Sequence, residues 1–186
     1  EECFYMTLSA FDLADELQTP IFVMSDLDIG MNDWMCPDLQ WDNNYQPKRG
    51  KVLNAEQRDA MEKFYRYLDV DGDGITYRTL PGEHAKGSFF TRGSGHNKFG
   101  GYTEDSQEYQ DVIDRLLVKW ETGRKMMPEA VIDYSKFNKT AIISYGSSDG
   151  ASLEALYRLK EQNKNYNYCC IKSFPFSISV KDFINK

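Results

Sequence analysis

Apolar positions recur at helical intervals in several stretches of this chain and fall in short unbroken runs in others. Phe4, Leu8 and Phe11 predict a first helix that ends at Thr19-Pro20, because proline disfavours a helix in the residue before it. The run Ile21-Phe22-Val23-Met24 predicts a strand whose carboxyl end passes into Ser25-Asp26-Leu27-Asp28-Ile29-Gly30, the side of an open α/β sheet where ligands and partners gather. Residues 31–50 carry two Trp, two Pro and three Asn without periodicity and predict a long ordered loop packed through Trp34 and Trp41. Asn54 with Gln57 three positions on is a capping pair. Met61, Phe64, Tyr65 and Leu68 then continue a helical pattern, so a helix is expected over about 55–68.

Between Asp69 and Gly101 there are eight Gly and few apolar runs, which predicts a glycine-rich excursion over a core rather than a core element. Thr103, followed by Glu104 and Asp105, is suited to start the next helix, and Tyr109, Val112, Ile113, Leu116, Leu117 and Trp120 form its apolar face. This helix is expected to stop near Met127-Pro128. The tail reads strand 141–145, turn 146–150, a helix with Leu153, Leu156, Tyr157 and Leu159, a strand over 166–174, and a last helix capped by Ser179. That β-α-β-α order implies a parallel sheet with a right-handed crossover, although two strands are too few for a stable sheet.

Composition narrows the class. The 186 residues are 41% hydrophobic and 27% charged, with 11 Phe, 12 Tyr and 3 Trp, enough for a packed core and contrary to wholesale disorder. With 29 acidic and 22 basic side chains the net charge is −7, so a nucleic-acid partner is not expected. No apolar run reaches the roughly 20 residues of a membrane-spanning helix, and the start has no secretion signal, so no membrane partner is expected and the location is expected to be cytoplasmic. The chain opens Glu1-Glu2-Cys3 without an initiating Met and is expected to be a piece of something longer. Cys3, Cys36, Cys169 and Cys170 match no zinc or iron–sulfur ligand spacing and are expected to be reduced core residues.

Three segments carry candidate chemistry. Asp69-Val70-Asp71-Gly72-Asp73-Gly74 has the Asp and Gly positions of the first half of an EF-hand loop, but Leu80 stands where the bidentate Glu belongs and Thr76 where an apolar residue belongs. Asp69, Asp71 and Asp73 are therefore either ligands for calcium or magnesium or caps of an Asp-Gly turn. Thr91-Arg92-Gly93-Ser94-Gly95-His96-Asn97 combines a guanidinium fork, hydroxyls and close-approach glycines, suited to a carboxylate or phosphate or else to a subunit-contact loop. Gly146-Ser147-Ser148-Asp149-Gly150, between strand and helix, lacks the full spacing of a phosphate loop and reads as a tight turn with a cap. His84 and His96 are the only histidines, and no Ser/His/Asp or Cys/His set presents itself.

The wording of the sequence resembles one family. Residues 19–34, Thr-Pro-Ile-Phe-Val-Met-Ser-Asp-Leu-Asp-Ile-Gly-Met-Asn-Asp-Trp, resemble a stretch of 2-oxoacid:ferredoxin oxidoreductase alpha subunits. The segments 67–75, 77–82, 90–97 and 101–105 resemble the same subunits in order, most of all the 2-oxoglutarate-using branch, and 140–186 is similar to the start of the transketolase C-terminal-type domain that follows there. The resemblance implies an α/β protein, a C-terminal fragment of such a subunit. Residues 1–50 would be the end of a thiamine pyrimidine-binding-type domain, 51–128 a helical and Gly-rich connecting segment, and 129–186 the parallel β-α-β-α start of a transketolase C-terminal-like domain.

It also implies oxidative decarboxylation of 2-oxoglutarate to succinyl-CoA with ferredoxin reduction. The holoenzyme would use thiamine diphosphate and an iron–sulfur cluster, a beta subunit, ferredoxin and coenzyme A. The family's Tyr-Pro-Ile-Thr-Pro substrate segment and its thiamine-activating glutamate are absent from this sequence, and its cluster and diphosphate sites belong to the beta subunit. The expectation is thus a scaffolding and subunit-contact piece, inactive alone, with no catalytic side chain. Arg92, His96 and Asn97, with Thr91 and Ser94 as supporting donors, are the residues expected to touch substrate, coenzyme A or the partner subunit. The alternatives are a non-catalytic cation-binding module centred on Asp69, Asp71 and Asp73, or an adaptor that binds protein through exposed aromatics.

Overall fold

The computed structural model of the chain describes every residue except Trp34, Lys63 and Arg92 to Ser94. It divides into two compact units, one of Glu1–Cys3, Val23–Gln40 and Arg124–Lys186, the other of Phe4–Phe22 and Trp41–Gly123.

The first unit holds a three-stranded sheet in the order β1-β3-β2, with β1 Val131–Asp133, β2 Ala141–Tyr145 and β3 Asn167–Ile171. β2 and β3 run parallel, Ile143 opposite Cys169, and α5 (Ser148–Glu161) makes the crossover between them, as the tail pattern predicts. β1 pairs antiparallel on the other side of β3, Ile132 opposite Cys169, which supplies the third strand that such a sheet needs. Three residues are too few to show a period, so β1 is not visible in the pattern. With a neighbour on each side, β3 is the buried strand: Cys169 and Cys170 are 0% exposed. Cys169 packs with Val180 and Phe183 of α6 (Ile178–Ile184) and with Ala130, Ile132 and Ile171. Cys3 and Cys36, in contrast, are exposed, so only the adjacent pair meets the expectation of core cysteines.

At the start of β3, Asn167 is buried and accepts hydrogen bonds from Ser135 N at 2.7 Å and from the Asn138 amide at 3.3 Å, fastening the β1–β2 connection to the sheet. Residues 21–26 form no strand, and Phe22 and Met24 are exposed; the short helix α2 (Leu27–Met31) follows, with Asp26 as its cap. β1 and β2 supply both neighbours of β3, and residues 21–26 pair with neither outer strand. The Asp26 carboxylate spans two turns, taking Ile29 N at 2.8 Å and Ser147 N at 2.9 Å, so the backbone N–H at the entry to α5 already has an anion. The Ser147 side chain above all, then the backbone N–H groups of Ile29 and Ser147, hold the Asp26 carboxyl below the usual carboxylate range.

The second unit has most of α1 (Glu2–Leu17), the short α3 (Ala55–Ala60), a 3-10 turn at Ala85–Gly87 and most of α4 (Ser106–Met126). α1 buries Leu13 and Leu17 rather than its N-terminal aromatics. α3 begins with the predicted capping box of Asn54 and Gln57 but ends at Ala60. Phe64 and Tyr65 do not continue it; they meet Phe89 and Phe99 edge-to-face, at ring centroid distances of 6.5 and 4.5 Å, and so serve the glycine-rich segment instead. Trp41 lies half exposed against Tyr45, while Trp34 falls outside the described residues. The start of α4 sits two residues beyond the expected cap: Asp105 Oδ1 accepts from Gln107 N and Glu108 N, each at 2.9 Å, and Thr103 Oγ1 accepts from Asp105 N.

Candidate functional site

The Asp69–Gly74 loop is closed by its own carboxylates. Asp69 Oδ1 accepts from Asp71 N at 3.2 Å and Gly72 N at 2.9 Å, while its Oδ2 accepts from Gly74 N at 2.8 Å. Gly74 has φ +79° and lies so close to α4 that a Cβ there would stand 2.2 Å from Lys119 N and 2.7 Å from the Arg115 carbonyl oxygen. Arg115 Nη1 donates to the Gly74 carbonyl and Thr122 Oγ1 to the Asp73 carbonyl, each at 2.8 Å, so the loop is seated on the helix along one line.

The mouth of the loop holds a cation, and the cation is a lysine. Lys51 Nζ donates to Asp71 Oδ2 at 2.5 Å, Asp73 Oδ1 at 2.8 Å and the Ile75 carbonyl at 3.0 Å. Burial pulls the Lys51 ammonium's pKa down, but the two carboxylates more than offset it, so the net direction is up. Its hydrogen bond holds the Asp71 carboxyl below the usual range. Of the three aspartates, Asp71 and Asp73 thus meet a shared ammonium while Asp69 meets backbone N–H groups. Among the described residues no group of three or more His, Cys, Asp or Glu is placed to hold a metal ion.

Thr91, His96 and Asn97 gather around Tyr67. Tyr67 donates its hydroxyl to Thr91 Oγ1 at 3.1 Å, and its ring stacks on the His96 imidazole at 3.8 Å and 21°. Arg92 and Ser94 lie outside the described residues. From Gly95 to Thr103 the chain doubles back: Thr103 N donates to the Gly95 carbonyl, His96 bridges Tyr102, and Asn97 N donates to the Gly101 carbonyl at 2.9 Å. Asn97 organises the tip, its Oδ1 accepting from Phe99 N and Gly101 N at 3.1 Å and its Nδ2 reaching both Glu108 oxygens at 3.2 and 3.3 Å. Asn97 and Asp69 both line a cleft of about 220 Å³, together with Tyr67, Lys98, Glu108 and Arg115. The two segments singled out in the sequence therefore meet at one place.

Three residues that spacing alone did not single out lie beside it. Arg66, Arg115 and Lys119 line a smaller cavity of about 50 Å³, with Leu17, Gln18, Ile75 and Thr76. Arg66 Nη1 donates to Thr76 Oγ1 at 2.8 Å, and Lys119 Nζ donates to Thr19 Oγ1 at 2.5 Å and the Leu17 carbonyl at 3.2 Å. The available signal was the i,i+4 spacing of Arg115 and Lys119, which sets two cations on one side of α4. That side is the inward one. Val112, Arg115, Lys119, Thr122 and Gly123 turn inward, while Tyr109 is 59% and Leu117 61% exposed, so the expected apolar face mostly points outward within this chain.

No family model matches the chain. It is 26% identical over 180 residues to the protein named 2-oxoacid:ferredoxin oxidoreductase 2, subunit alpha, of Aeropyrum pernix, a match that covers 94% of this chain and 27% of that protein. It is 26% identical over 189 residues to the 2-oxoacid:ferredoxin oxidoreductase subunit alpha of Saccharolobus solfataricus, covering 100% of this chain and 28% of that one. The chain thus spans a little over a quarter of the length of these curated relatives. Among solved structures it resembles 2-oxoglutarate:ferredoxin oxidoreductase from Magnetococcus marinus with 2-oxoglutarate, coenzyme A and succinyl-CoA bound. That likeness has a TM-score of 0.78 at 18% identity, over 98% of this chain and 31% of the other, and it shows a shared mixed α/β fold. In sequence the chain is homologous to part of the alpha subunit of 2-oxoacid:ferredoxin oxidoreductases.

Proposed function

We propose that this chain is a portion of the alpha subunit of a 2-oxoglutarate:ferredoxin oxidoreductase of the cytoplasm, and that its role there is scaffolding and subunit contact. The observation that carries the reading is the orientation of α4, which turns Arg115 and Lys119 inward while Tyr109, Leu116 and Leu117 are exposed. A helix normally buries its apolar stripe, so this one is shaped to be covered from outside. Residues 1–50 would end a pyrimidine-binding-type domain, 51–128 connect, and 129–186 begin a transketolase C-terminal-like domain.

In this reading the beta subunit covers that surface, and ferredoxin and coenzyme A meet the assembled enzyme. Thr91, Arg92, Ser94, His96 and Asn97 form the segment nearest to substrate or partner. The described residues do not fit an iron–sulfur cluster: Cys169 and Cys170 are buried neighbours on one strand, and no set of ligating side chains converges. In this reading the cluster and the thiamine diphosphate of the holoenzyme are held mostly by residues outside this chain.

The test is to isolate, through an affinity tag on this chain, the complex that it enters, and to measure 2-oxoacid- and coenzyme A-dependent reduction of a viologen dye. Reduction with 2-oxoglutarate well above that with pyruvate is expected. Faster reduction with pyruvate would overturn the branch, and none with either acid would overturn the oxidoreductase reading.

A further inference from the structure

We propose that the cavity between Arg66, Arg115 and Lys119 is a binding site for a phosphate oxyanion. Three cationic side chains line one cavity of about 50 Å³, and among the described residues none of them forms an ion pair with a carboxylate. The partners they have are neutral: a threonine hydroxyl for Arg66, a carbonyl for Arg115, a hydroxyl and a carbonyl for Lys119. Among the described residues, Arg115 Nε is buried with no hydrogen-bond partner. The acidic group that acts on Arg115 through space is Asp69, and its oxygens are engaged by three backbone N–H groups of its own loop.

Such a group of like charges is costly in a partly dehydrated place. Burial pushes the Arg66, Arg115 and Lys119 pKa values down, and the two guanidiniums lower that of Lys119 further. An anion in the cavity reverses each of these penalties together. The fold also fixes the geometry rigidly, since Arg115 and Lys119 are one turn apart on α4 and the Gly74 backbone is pressed against the helix between them.

Charge and size set the ligand class. The chain as a whole carries −7, so these cations are a local exception rather than part of a basic face of the kind that tracks nucleic acid. Two guanidinium forks and an ammonium match the several oxygens of a tetrahedral phosphate better than the two of a carboxylate. At about 50 Å³ the cavity has room for one such group and for nothing bulky attached to it on the inner side. Free inorganic phosphate and the terminal phosphate of a larger ester share that chemistry.

The test uses the 186-residue chain at constant ionic strength, with chloride as the reference anion. Inorganic phosphate, glycerol 3-phosphate and acetate are titrated while the melting temperature is followed. Phosphate or the ester is expected to raise it in a saturable way. Lys119→Met and Arg66→Met are each expected to weaken binding at least tenfold, and Lys164→Met, an exposed charge in the other unit, to leave it unchanged. Tighter binding of the ester than of free phosphate identifies a phosphorylated small molecule as the ligand, and the reverse identifies the free ion.

No shift beyond chloride overturns the proposal, as does a shift that both variants retain, or one that acetate reproduces at equal concentration. Should the variants fail to fold, the nitrogen-15 signal of Arg115 Nε in the parent chain gives the answer. A saturable change on adding phosphate supports the site, and no change overturns it.

Discussion

Lys51 donates its ammonium to Asp71 at 2.5 Å and fills a loop whose sequence has the Asp spacing of a calcium site. Replacing Lys51 by Met removes the resident cation while keeping the stem. The variant should be less stable by about 1–2 kcal/mol, the half-exposed carboxylates keeping the loss below that of a fully buried pair. Calcium or magnesium at millimolar concentration should then raise the melting temperature of the variant more than that of the parent chain. Equal shifts in the two proteins would mean that the ammonium does not compete for the place.

The same pair fixes an acid limb for stability. Lys51 holds the Asp71 carboxyl low, and Arg49 and then Arg78 do the same for Asp15 through hydrogen bonds at 2.7 and 3.0 Å. For a carboxylate lowered in the folded state, the stabilisation is complete above its unfolded value of about 3.9 and disappears as pH falls through the folded one. Lys51 is raised, so its contribution is complete below about 10.4 and disappears at more alkaline pH. Urea midpoints should therefore be flat, as far as these groups act, from about pH 5 to 10 and fall at both ends. In Lys51→Met both falls should be shallower, and unchanged slopes would sink the assignment.

Gly72 and Gly74 give a controlled comparison on one loop. Both have positive φ, +76° and +79°, but a Cβ on Gly72 meets nothing within 4 Å, whereas one on Gly74 meets the α4 backbone. Gly72→Ala should cost about 1 kcal/mol, the backbone term alone, and Gly74→Ala at least about 2 kcal/mol because the loop must lift from the helix. Equal losses on chemical denaturation would mean that the loop is not seated there.

Tyr168, buried on β3, donates its hydroxyl to Asp149 at the start of α5 and lies 2.6 Å from Ser144 Oγ on β2. Burial and then Asp149 push its phenol well above the ordinary value. Tyr168→Phe keeps the ring but leaves Ser144 and Asp149 short of a partner, and should cost about 1–2 kcal/mol in urea unfolding. A neutral substitution would show that water replaces the hydroxyl freely.

The patterns that were legible in the sequence are those fixed by near neighbours. The tail order β2-α5-β3-α6, the capping box at Asn54 and Gln57, and the existence of α4 all rest on residues a few positions apart. What was missed depends on distant ones. Phe64 and Tyr65 keep helical spacing, yet their partners Phe89 and Phe99 belong to the glycine-rich segment, so α3 stops at Ala60. The apolar face of α4 was legible, but not that most of it points outward, because the Gly74 loop takes the side that carries Arg115 and Lys119. At the candidate site the Asp spacing was visible, but Lys51, twenty residues upstream of Asp71, has no signature of its own.

Under the proposed subunit contact, α4 is a helix with obligations on two sides. Its inward stripe is held by Arg115, Lys119 and Thr122, and its outward apolar stripe by Tyr109, Leu116 and Leu117. Between them runs a narrow third stripe where Gln107 bonds Asp111 and Gln110 bonds Asp114, at 2.9 and 2.7 Å, each one turn apart on the exposed surface. In a saturation scan of every position, measured in the assembled protein, tolerance would be confined to that strip. Gln107, Gln110 and Asp114 would accept many residues, and the rest of the helix few, although a hydropathy profile ranks several of the intolerant positions among its most polar.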